Sequence, residues 1–377
     1  MTTVDDPPGE AADGVDPVTL EVVRNAAAAV CEEMNATLVR TSYSPNIKER
    51  KDCSCALFDA DGALVAQAEN LPVHLGAMPF SVAAALESFP PETLSPGDAV
   101  LLNDPYEGGA HLPDLTLVTP VFVDGDLVAL SANRAHHADV GGATAGSVGA
   151  DSTEIYQEGL RIPPVKLRAG GEPNRAVYDL IERNVRTPEE RRGDLRAQVA
   201  ANETGADRVR ELVDRYGVET YRAALDAVQD YSERRMAAEL EALPDGEYRF
   251  EDVLDDDGRG TADLPVVATV TVDGDAVAVE FAGSADQTAG PVNAVFAVTV
   301  SATYYAVRAV TDPDIPPNAG CYRPVGSTRR RAPSSTRRRR RPSWVATSRP
   351  PSASPTPCSA PSPRPSPSGP PPRARAR

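Results

Sequence analysis

Apolar residues recur along this chain at two spacings, and the spacing changes several times. A spacing of three to four residues begins after Asp16-Pro17 and continues to Leu38, which predicts a helix whose first turn is capped by Asp16. Strand-like runs follow in pairs at 54–66, 115–132 and 266–281, and an Asp-Gly pair lies inside each of them. These pairs predict antiparallel hairpins.

Long stretches with a helical period separate the hairpins. The longest covers 175–243, with breaks near Thr187-Pro188 and Tyr216-Gly217, and shorter ones lie at 75–89 and 293–310. Because strands and helices come in blocks rather than in regular alternation, we predict an α+β fold with mixed or antiparallel sheets and a central helical block. The expected organisation is a disordered N-terminus (1–15), a portion that carries the active site and its metal (16–174), a helical segment (175–245), an incomplete second α+β portion (246–325) and a disordered Arg/Pro/Ser tail (326–377).

Charge divides the chain at Val325. The whole sequence has a net charge of −17, from 38 Lys and Arg against 55 Asp and Glu. Residues 326–377 contain 13 of the Arg and none of the acids, so residues 1–325 carry −30. Three explanations fit the basic tail: a disordered segment that binds nucleic acid or anionic surfaces, a linker of no consequence, or a GC-rich gene read in the wrong frame. We favour the frameshift, because the composition switches within a few residues.

The acidic body indicates the surroundings in which the protein works. A charge this negative repels itself in dilute buffer and is tolerated best where salt screens it, so we predict a high-salt cytoplasm; an ordinary acidic protein is the alternative. The same charge argues against nucleic acid as a partner of the body. No stretch has the ~18 consecutive apolar residues that a membrane helix needs, and the acidic N-terminus does not resemble a signal peptide. We therefore expect a cytoplasmic protein without a membrane partner.

Histidine placement is the most informative feature of the body. His111 lies three residues before Asp114, and His136-His137 precedes Asp139 by two residues. The hairpin at 115–132 returns the chain, so both groups should meet at one edge of the sheet, with His137 and Asp139 on one face and His136 on the other. Neutral imidazoles with a carboxylate bind Zn, Mn or Fe, so the group predicts a catalytic metal site. Polar residues satisfied within a Gly-rich loop are the alternative.

Other polar residues near these histidines are candidates for catalytic roles. Asp104 and Glu158 are candidate general bases, and Arg161 is a candidate clamp for an anion; solvated loop charges explain Glu158 and Arg161 equally well. His74 is interpreted as a histidine at the start of a helix rather than as a ligand. The nucleotide-binding patterns G-x-x-x-x-G-K-[ST] and G-x-G-x-x-G are absent from the sequence, so it offers no standard loop for ATP.

Several motifs, taken together and in order, resemble those of the hydantoinase B/oxoprolinase family, which includes the matching subunit of acetone carboxylase. The strings that contain the histidines are His111-Leu-Pro-Asp114 and His136-His-Ala-Asp-Val-Gly-Gly142. Further matching strings lie at 44–50, 54–59, 72–76, 103–106, 152–167, 290–293 and 314–324. Family chains continue in ordered sequence beyond the last string, so the resemblance indicates a truncated member.

The resemblance implies an enzyme subunit that hydrolyses a cyclic amide such as a hydantoin or 5-oxoproline, after an ATP-using A-type subunit has phosphorylated it. It also implies that the metal motifs map onto His111, Asp114, His136, His137 and Asp139, with the division between ligands and orienting residues left open. Two alternatives remain. One is an acetone carboxylase-type subunit, which takes part in ATP-dependent carboxylation of a ketone, and the other is an inactive truncated product that serves at most as a binding scaffold.

Overall fold

A computed structural model of the chain describes residues 15–74 and 76–328. The helices are α1 (Pro17–Thr41), α2 (Pro45–Lys48), α3 (Met78–Ser88), α4 (Arg175–Asn184), α5 (Pro188–Tyr216), α6 (Val218–Glu241), α7 (Phe296–Val310) and α8 (Ala319–Tyr322). The strands are β1 (Cys53–Asp59), β2 (Leu64–Glu69), β3 (Ala99–Leu102), β4 (Asp114–Val123), β5 (Asp126–His136), β6 (Val165–Ala169), β7 (Glu172–Pro173), β8 (Gly246–Asp256), β9 (Ala262–Asp273), β10 (Ala276–Glu280) and β11 (Val325–Thr328). The predicted α+β class is confirmed.

Local signals in the sequence set several of these boundaries. The Asp16 carboxylate accepts the N–H groups of Val18 and Thr19, both at 3.1 Å, and so caps α1. The three Asp-Gly pairs lie at the turns of β1–β2, β4–β5 and β9–β10, and all three strand pairs are antiparallel. Each of these glycines has a positive φ, the conformation that such turns require. The predicted breaks in the helical block separate α4, α5 and α6.

The strands form two sheets. The larger sheet has the order β2-β1-β5-β4-β3-β6-β7 and is antiparallel at every pairing, so β5 lies between β1 and β4 near its centre. The smaller sheet has the order β11-β10-β9-β8, and its β10–β11 pair is parallel. Both the antiparallel and the mixed sheets of the prediction are therefore present.

The two faces of the seven-stranded sheet are buried under different parts of the chain. We call the face covered by α1 and α5 the helix face; Ser131 and Asn133 of β5 point to it and contact Met34 and α5. We call the other the site face; it packs against α3, the second sheet and α7. Arg134 and His136 of β5 point to this face. Residues from all three predicted portions, such as Met78, Leu240 and Val272, share its hydrophobic core.

Two predicted boundaries differ from the structure. Val15, placed in the disordered N-terminus, is buried against the core under α1. Residues 326–328, placed in the tail, continue from Val325 as β11 because they pair with β10. Residues 1–14 and 329–377 lie outside the described residues, and the disorder and frameshift proposed for them stay predictions. Within 15–74 and 76–328, no helix combines the length and the apolar character needed to cross a membrane.

Candidate metal centre

Sheet register brings polar side chains from distant segments to one end of the site face. Asp114 opens β4 and His136 ends β5, and the two are direct partners in the antiparallel register. His111 lies one turn before Asp114, and the Asp114 N–H donates to its carbonyl at 3.0 Å. On the other side of β5, the N–H of His136 donates to the carbonyl of Asp52 at 2.9 Å. His111, Asp114 and His136 therefore meet at one edge, as the hairpin pattern predicts.

These three side chains form the candidate metal cluster. His111 Nδ1 lies 3.1 Å from Asp114 Oδ2, and His136 Nδ1 lies 3.2 Å from Asp114 Oδ1. His111 Nε2 is 3.1 Å from His136 Nδ1. One ligand atom from each residue lies within 4.8 Å of the other two. Two imidazoles and one carboxylate around a common point are a donor set suited to Zn, Mn or Fe.

The state of Asp114 fits this assignment. Its side chain is fully buried, and its Oδ2 makes no hydrogen bond of acceptable geometry with the described residues. Burial alone would raise the pKa of Asp114, but His111 and His136 hold that pKa well below its ordinary value, so the carboxylate is ionised. The two histidine side chains are 24% and 18% exposed, which leaves one side of the cluster open. A bound cation would neutralise the buried charge of Asp114 and give Oδ2 a partner, so the residues present fit a metal.

Two residues that the sequence analysis did not assign to the site also lie at this cluster. His74 ends a 3-10 turn (Pro72–His74), is 1% exposed, and has its Nε2 3.7 Å from Asp114 Oδ2. Asp52 Oδ2 lies 3.8 Å from His136 Nδ1. The strand pattern of β1 places Asp52 at one end of that strand, because Asp52 directly precedes it. Hydrophobic spacing does not mark His74, because its position depends on how a turn outside the hairpins packs, but His74 lies in the 72–76 string that resembles the family.

The structure does not bring His137 and Asp139 into the cluster. His137 follows the end of β5 on the helix face, where its Nε2 lies 2.9 Å from Oε1 of Gln198 on α5. Burial lowers the pKa of His137 to about 4. The oxygens of Asp139 accept hydrogen bonds from two N–H groups of the following loop and from Arg186 Nη1, which is 2.8 Å away. Both side chains are thus engaged elsewhere.

The candidate catalytic residues form a second group, around Tyr106. Arg161 Nε lies 3.1 Å from Asp104 Oδ2, so these two charges form an ion pair. Glu158 is buried, at 1% exposure. Burial, with the nearby carboxylates of Glu158 and Asp104, raises the pKa of Tyr106 to about 12. The roles of Asp104 and Glu158 as bases and of Arg161 as an anion clamp stay predictions.

Asn103 connects this second group to the metal cluster. Its Nδ2 donates to the carbonyls of Leu112, at 2.7 Å, and Leu160, at 2.9 Å, and its Oδ1 accepts the N–H of Ile162 at 2.6 Å. Asn103 is fully buried, so these bonds are shielded from water. The loop that carries His111 and the segment that carries Arg161 are therefore fixed to each other.

Known proteins share both the sequence and the fold. The family model described as hydantoinase B/oxoprolinase matches residues 16–336. The 5-oxoprolinase 1 of Arabidopsis thaliana is 37% identical over 336 residues, covering 82% of this chain and 26% of that protein. The crystal structure of the ATP-dependent caprolactamase from Pseudomonas jessenii is 36% identical, with a TM-score of 0.80 over 84% of this chain and 54% of that chain.

More distant similarity extends to the fold of acetone carboxylase, whose nucleotide-free structure is 20% identical with a TM-score of 0.74 over 82% of this chain and 43% of that one. The chain spans about half the length of some curated relatives that it matches and about a quarter of the length of the 5-oxoprolinases. The family model nevertheless covers most of the sequence, including the whole metal cluster. The chain therefore belongs to the hydantoinase B/oxoprolinase family.

Proposed function

We propose that this chain is the metal-binding part of a B-type subunit in an ATP-dependent enzyme that hydrolyses a cyclic amide, such as a hydantoin or 5-oxoproline. The observation that carries the proposal is the buried Asp114 carboxylate between His111 and His136, in a chain of this family. The names of two relatives, a 5-oxoprolinase and an ATP-dependent caprolactamase, describe hydrolysis of cyclic amides. They support the same reaction class here.

In this proposal His111, Asp114 and His136 hold a divalent ion, Mn, Zn or Fe. Bound there, the ion would supply a Lewis acid that polarises the amide carbonyl or lowers the pKa of a water molecule. Asp114 supplies the negative charge of the donor set. Burial lowers the pKa of His136, but its contact with Asp114 raises that pKa overall, so protons compete with a metal for this imidazole more strongly than for a free one.

An A-type partner subunit completes the proposed enzyme. The sequence has neither of the standard nucleotide loops, which supports the expectation that the partner binds ATP and phosphorylates the substrate. Asp104, Glu158 and Arg161 are then the candidates for handling protons and anions beside the metal. A cytoplasmic location at high salt remains the expected setting.

Substitution of the two histidine ligands tests the metal centre. The full chain, purified in high salt and equilibrated with Mn²⁺ or Zn²⁺, should hold one ion per chain. His111→Ala and His136→Ala should each abolish this binding, because two donors then remain for the ion. Elemental analysis measures the stoichiometry, and circular dichroism checks that each variant is folded. Unchanged metal content in both variants would contradict the metal site.

Co-expression with the A-type subunit tests the reaction. The complex should open 5-oxoproline, a hydantoin or a caprolactam only when ATP is present, measured as ADP and ring-opened product. Carboxylation of acetone with bicarbonate would instead support the carboxylase alternative, for which the 20% identity to acetone carboxylase shows the fold alone. Binding of the A-type subunit without turnover of either substrate class would favour the scaffold alternative.

A further inference from the structure

His74 has a buried polar partner on each side. Its Nδ1 lies 2.8 Å from the Oγ of Ser54 on β1, and its Nε2 faces Asp114 Oδ2 at 3.7 Å. His74 and Ser54 are each 1% exposed, and Asp114 is fully buried. Three buried side chains therefore lead in a row from β1 to the carboxylate of the metal cluster, and they lie behind it rather than at its open side.

The two contacts together favour one tautomer of the imidazole. A neutral histidine has one ring nitrogen that donates and one that accepts. Because a hydroxyl can donate or accept, Ser54 alone does not choose between the nitrogens; the Asp114 carboxylate near Nε2 favours the ring proton there, and the Ser54 hydroxyl then donates to Nδ1. Carboxylates that bind metals are commonly held by a hydrogen bond from a second residue, which sets their orientation. At 3.7 Å the contact of His74 Nε2 with Asp114 Oδ2 is longer than a hydrogen bond, and His74 acts on this carboxylate through the orientation of its N–H dipole.

The turn that carries His74 is itself held by α7. The N–H of Gly76 donates to the Oγ of Ser301 at 3.1 Å. A Cβ atom at Gly76 would lie 2.9 Å from the ring of Tyr304 and 3.0 Å from the Cα of Ser301, so the turn is pressed against the helix. This close contact limits movement of the His74 side chain relative to the sheet.

A second cation is the competing explanation, because Asp52, His74 and Asp114 also place one ligand atom each within 4.8 Å of one another. The burial of His74, Ser54 and Asp114 argues against it. Of that set only Asp52, with its side chain 26% exposed, opens toward solvent. A second ion would thus have little room for the waters that complete the coordination of a three-donor site.

We propose that His74 is a positioning residue of the metal centre: its Nε2 side faces Asp114 Oδ2 and favours the carboxylate orientation that binds the ion, and Ser54 holds the imidazole ring in this place through Nδ1. The inference rests on the metal centre of the proposed function. It adds two residues, His74 and Ser54, that determine how tightly that centre binds metal.

Two substitutions of His74 separate its two contacts. Asn places its amide near the position of Nδ1 and keeps only the Ser54 side, whereas Gln places its amide near Nε2 and keeps only the Asp114 side. In the full chain, His74→Asn should weaken Mn²⁺ or Zn²⁺ binding by roughly 10- to 100-fold, and His74→Gln should stay within a few-fold of the wild type. Titration against a competing chelator measures the affinity, and elemental analysis measures the stoichiometry.

Ser54→Ala gives a milder test, with an expected affinity loss of several-fold, because the hydroxyl that holds His74 through Nδ1 is gone. Its matched control is Ser232→Ala, which removes a buried hydroxyl that accepts the Asn318 amide at 2.9 Å, on α6. The control should leave metal affinity unchanged. If His74→Asn does not fold, Ser54→Ala alone decides.

Three outcomes overturn the proposal. Wild-type affinity in a folded His74→Asn variant, or in Ser54→Ala, removes the positioning role while leaving the metal centre intact. Two ions in the wild type and one in His74→Asn would make His74 a ligand of a second ion. A wild-type chain that holds no metal would overturn the proposed centre together with this inference.

Discussion

The two faces of the seven-stranded sheet treat their buried polar groups differently. On the helix face, buried side-chain amides hydrogen-bond to one another: Gln198 Nε2 donates to Asn133 Oδ1 at 2.8 Å, and Asn133 Nδ2 donates to Asn202 Oδ1 at 2.8 Å. On the site face, Asp114 has an oxygen without a good hydrogen bond, and the side chains within ion-pair distance of it in the described part of the chain are imidazoles. The first arrangement fastens α5 to the sheet, whereas the second leaves a carboxylate available to a ligand.

Each face also buries one arginine, and the two differ in the same way. Arg191, on the helix face, lies 3.0 Å from the carboxylate of Asp194 and also pairs with Glu190. Arg134, on the site face, reaches neutral oxygens, at 2.9 Å on Thr116 and 2.7 Å on Ser81, and its Nη1 has no hydrogen-bond partner in the described part of the chain. Arg191 also has one buried N–H, Nε, without a partner in the described part of the chain, so the two differ in their ion pairs and not in full satisfaction. The comparison teaches that the buried arginine is ion-paired where this sheet is structural and is held by neutral oxygens where the site lies.

Removal of the Asp194 charge should produce the largest loss of stability. Asp194→Asn leaves Arg191 buried with only Glu190, so the free energy of unfolding should fall by about 3 kcal/mol or more, measured by urea denaturation. Metal content should not change, because Asp194 lies on the helix face. A variant as stable as the wild type would show that the pair is not the main fastening of α5.

The same variant should change the response to acid. Burial opposes ionisation of Asp194, but His137 and the N–H groups of Ser44 and Tyr43 lower its pKa overall. Its contribution to stability is therefore complete above the unfolded value of about 3.9 and is lost as pH falls through the lower folded value. Asp194→Asn should lack this loss, so its stability relative to the wild type should improve as the pH is lowered through that range.

Ser81→Ala should have a smaller effect, on the site face. Ser81 Oγ accepts from Arg134 at 2.7 Å and donates to the Gly108 carbonyl at 2.6 Å, three residues before His111. Loss of a hydrogen bond to a buried guanidinium should cost roughly 1.5–3 kcal/mol. We also expect weaker metal binding, because the loop that carries His111 loses its anchor. A loss of stability with unchanged metal affinity would separate Arg134 from the site.

His137→Gln should have the smallest effect, and it tests most directly whether the two faces have separate roles. The variant loses the ring that contacts Gln198, which should cost about 1 kcal/mol of unfolding free energy. Metal stoichiometry should stay at the wild-type value, in contrast to His136→Ala one position earlier. Loss of metal in His137→Gln would return His137 to the ligand set that the sequence resemblance implies.

The hairpin that places Asp114 opposite His136 is predictable from the sequence, because the Asp-Gly turn and the alternating strands are local features. The sequence also predicts that His136 and His137 point to opposite faces. It does not tell which of them reaches the cluster, since this depends on α5 covering one face with Gln198. The assignment of His137 as a ligand rests on the resemblance, whereas in the structure its side chain lies on the helix face, away from the other donors.

Ser54 and His74 show the limit of local reasoning. β1 pairs with β5 rather than only with its hairpin partner β2, and this long-range pairing puts Ser54 opposite Arg134 on the site face. The turn with His74 then folds over that strand. Neither event leaves a periodic pattern in the sequence. Both residues lie in strings that resemble the family, 54–59 and 72–76, but their contact with the site is seen only once the sheet order is known.

The bond between Gly76 and Ser301 joins positions 225 residues apart in the chain. During synthesis the ribosome releases all three proposed ligands long before α7, the helix that presses the His74 turn into place. Contacts across such a separation form late, because the intervening chain must first be ordered. On the positioning proposed for His74, a nascent chain would therefore hold metal loosely, and a tight centre would be one of the last features that the newly made protein acquires.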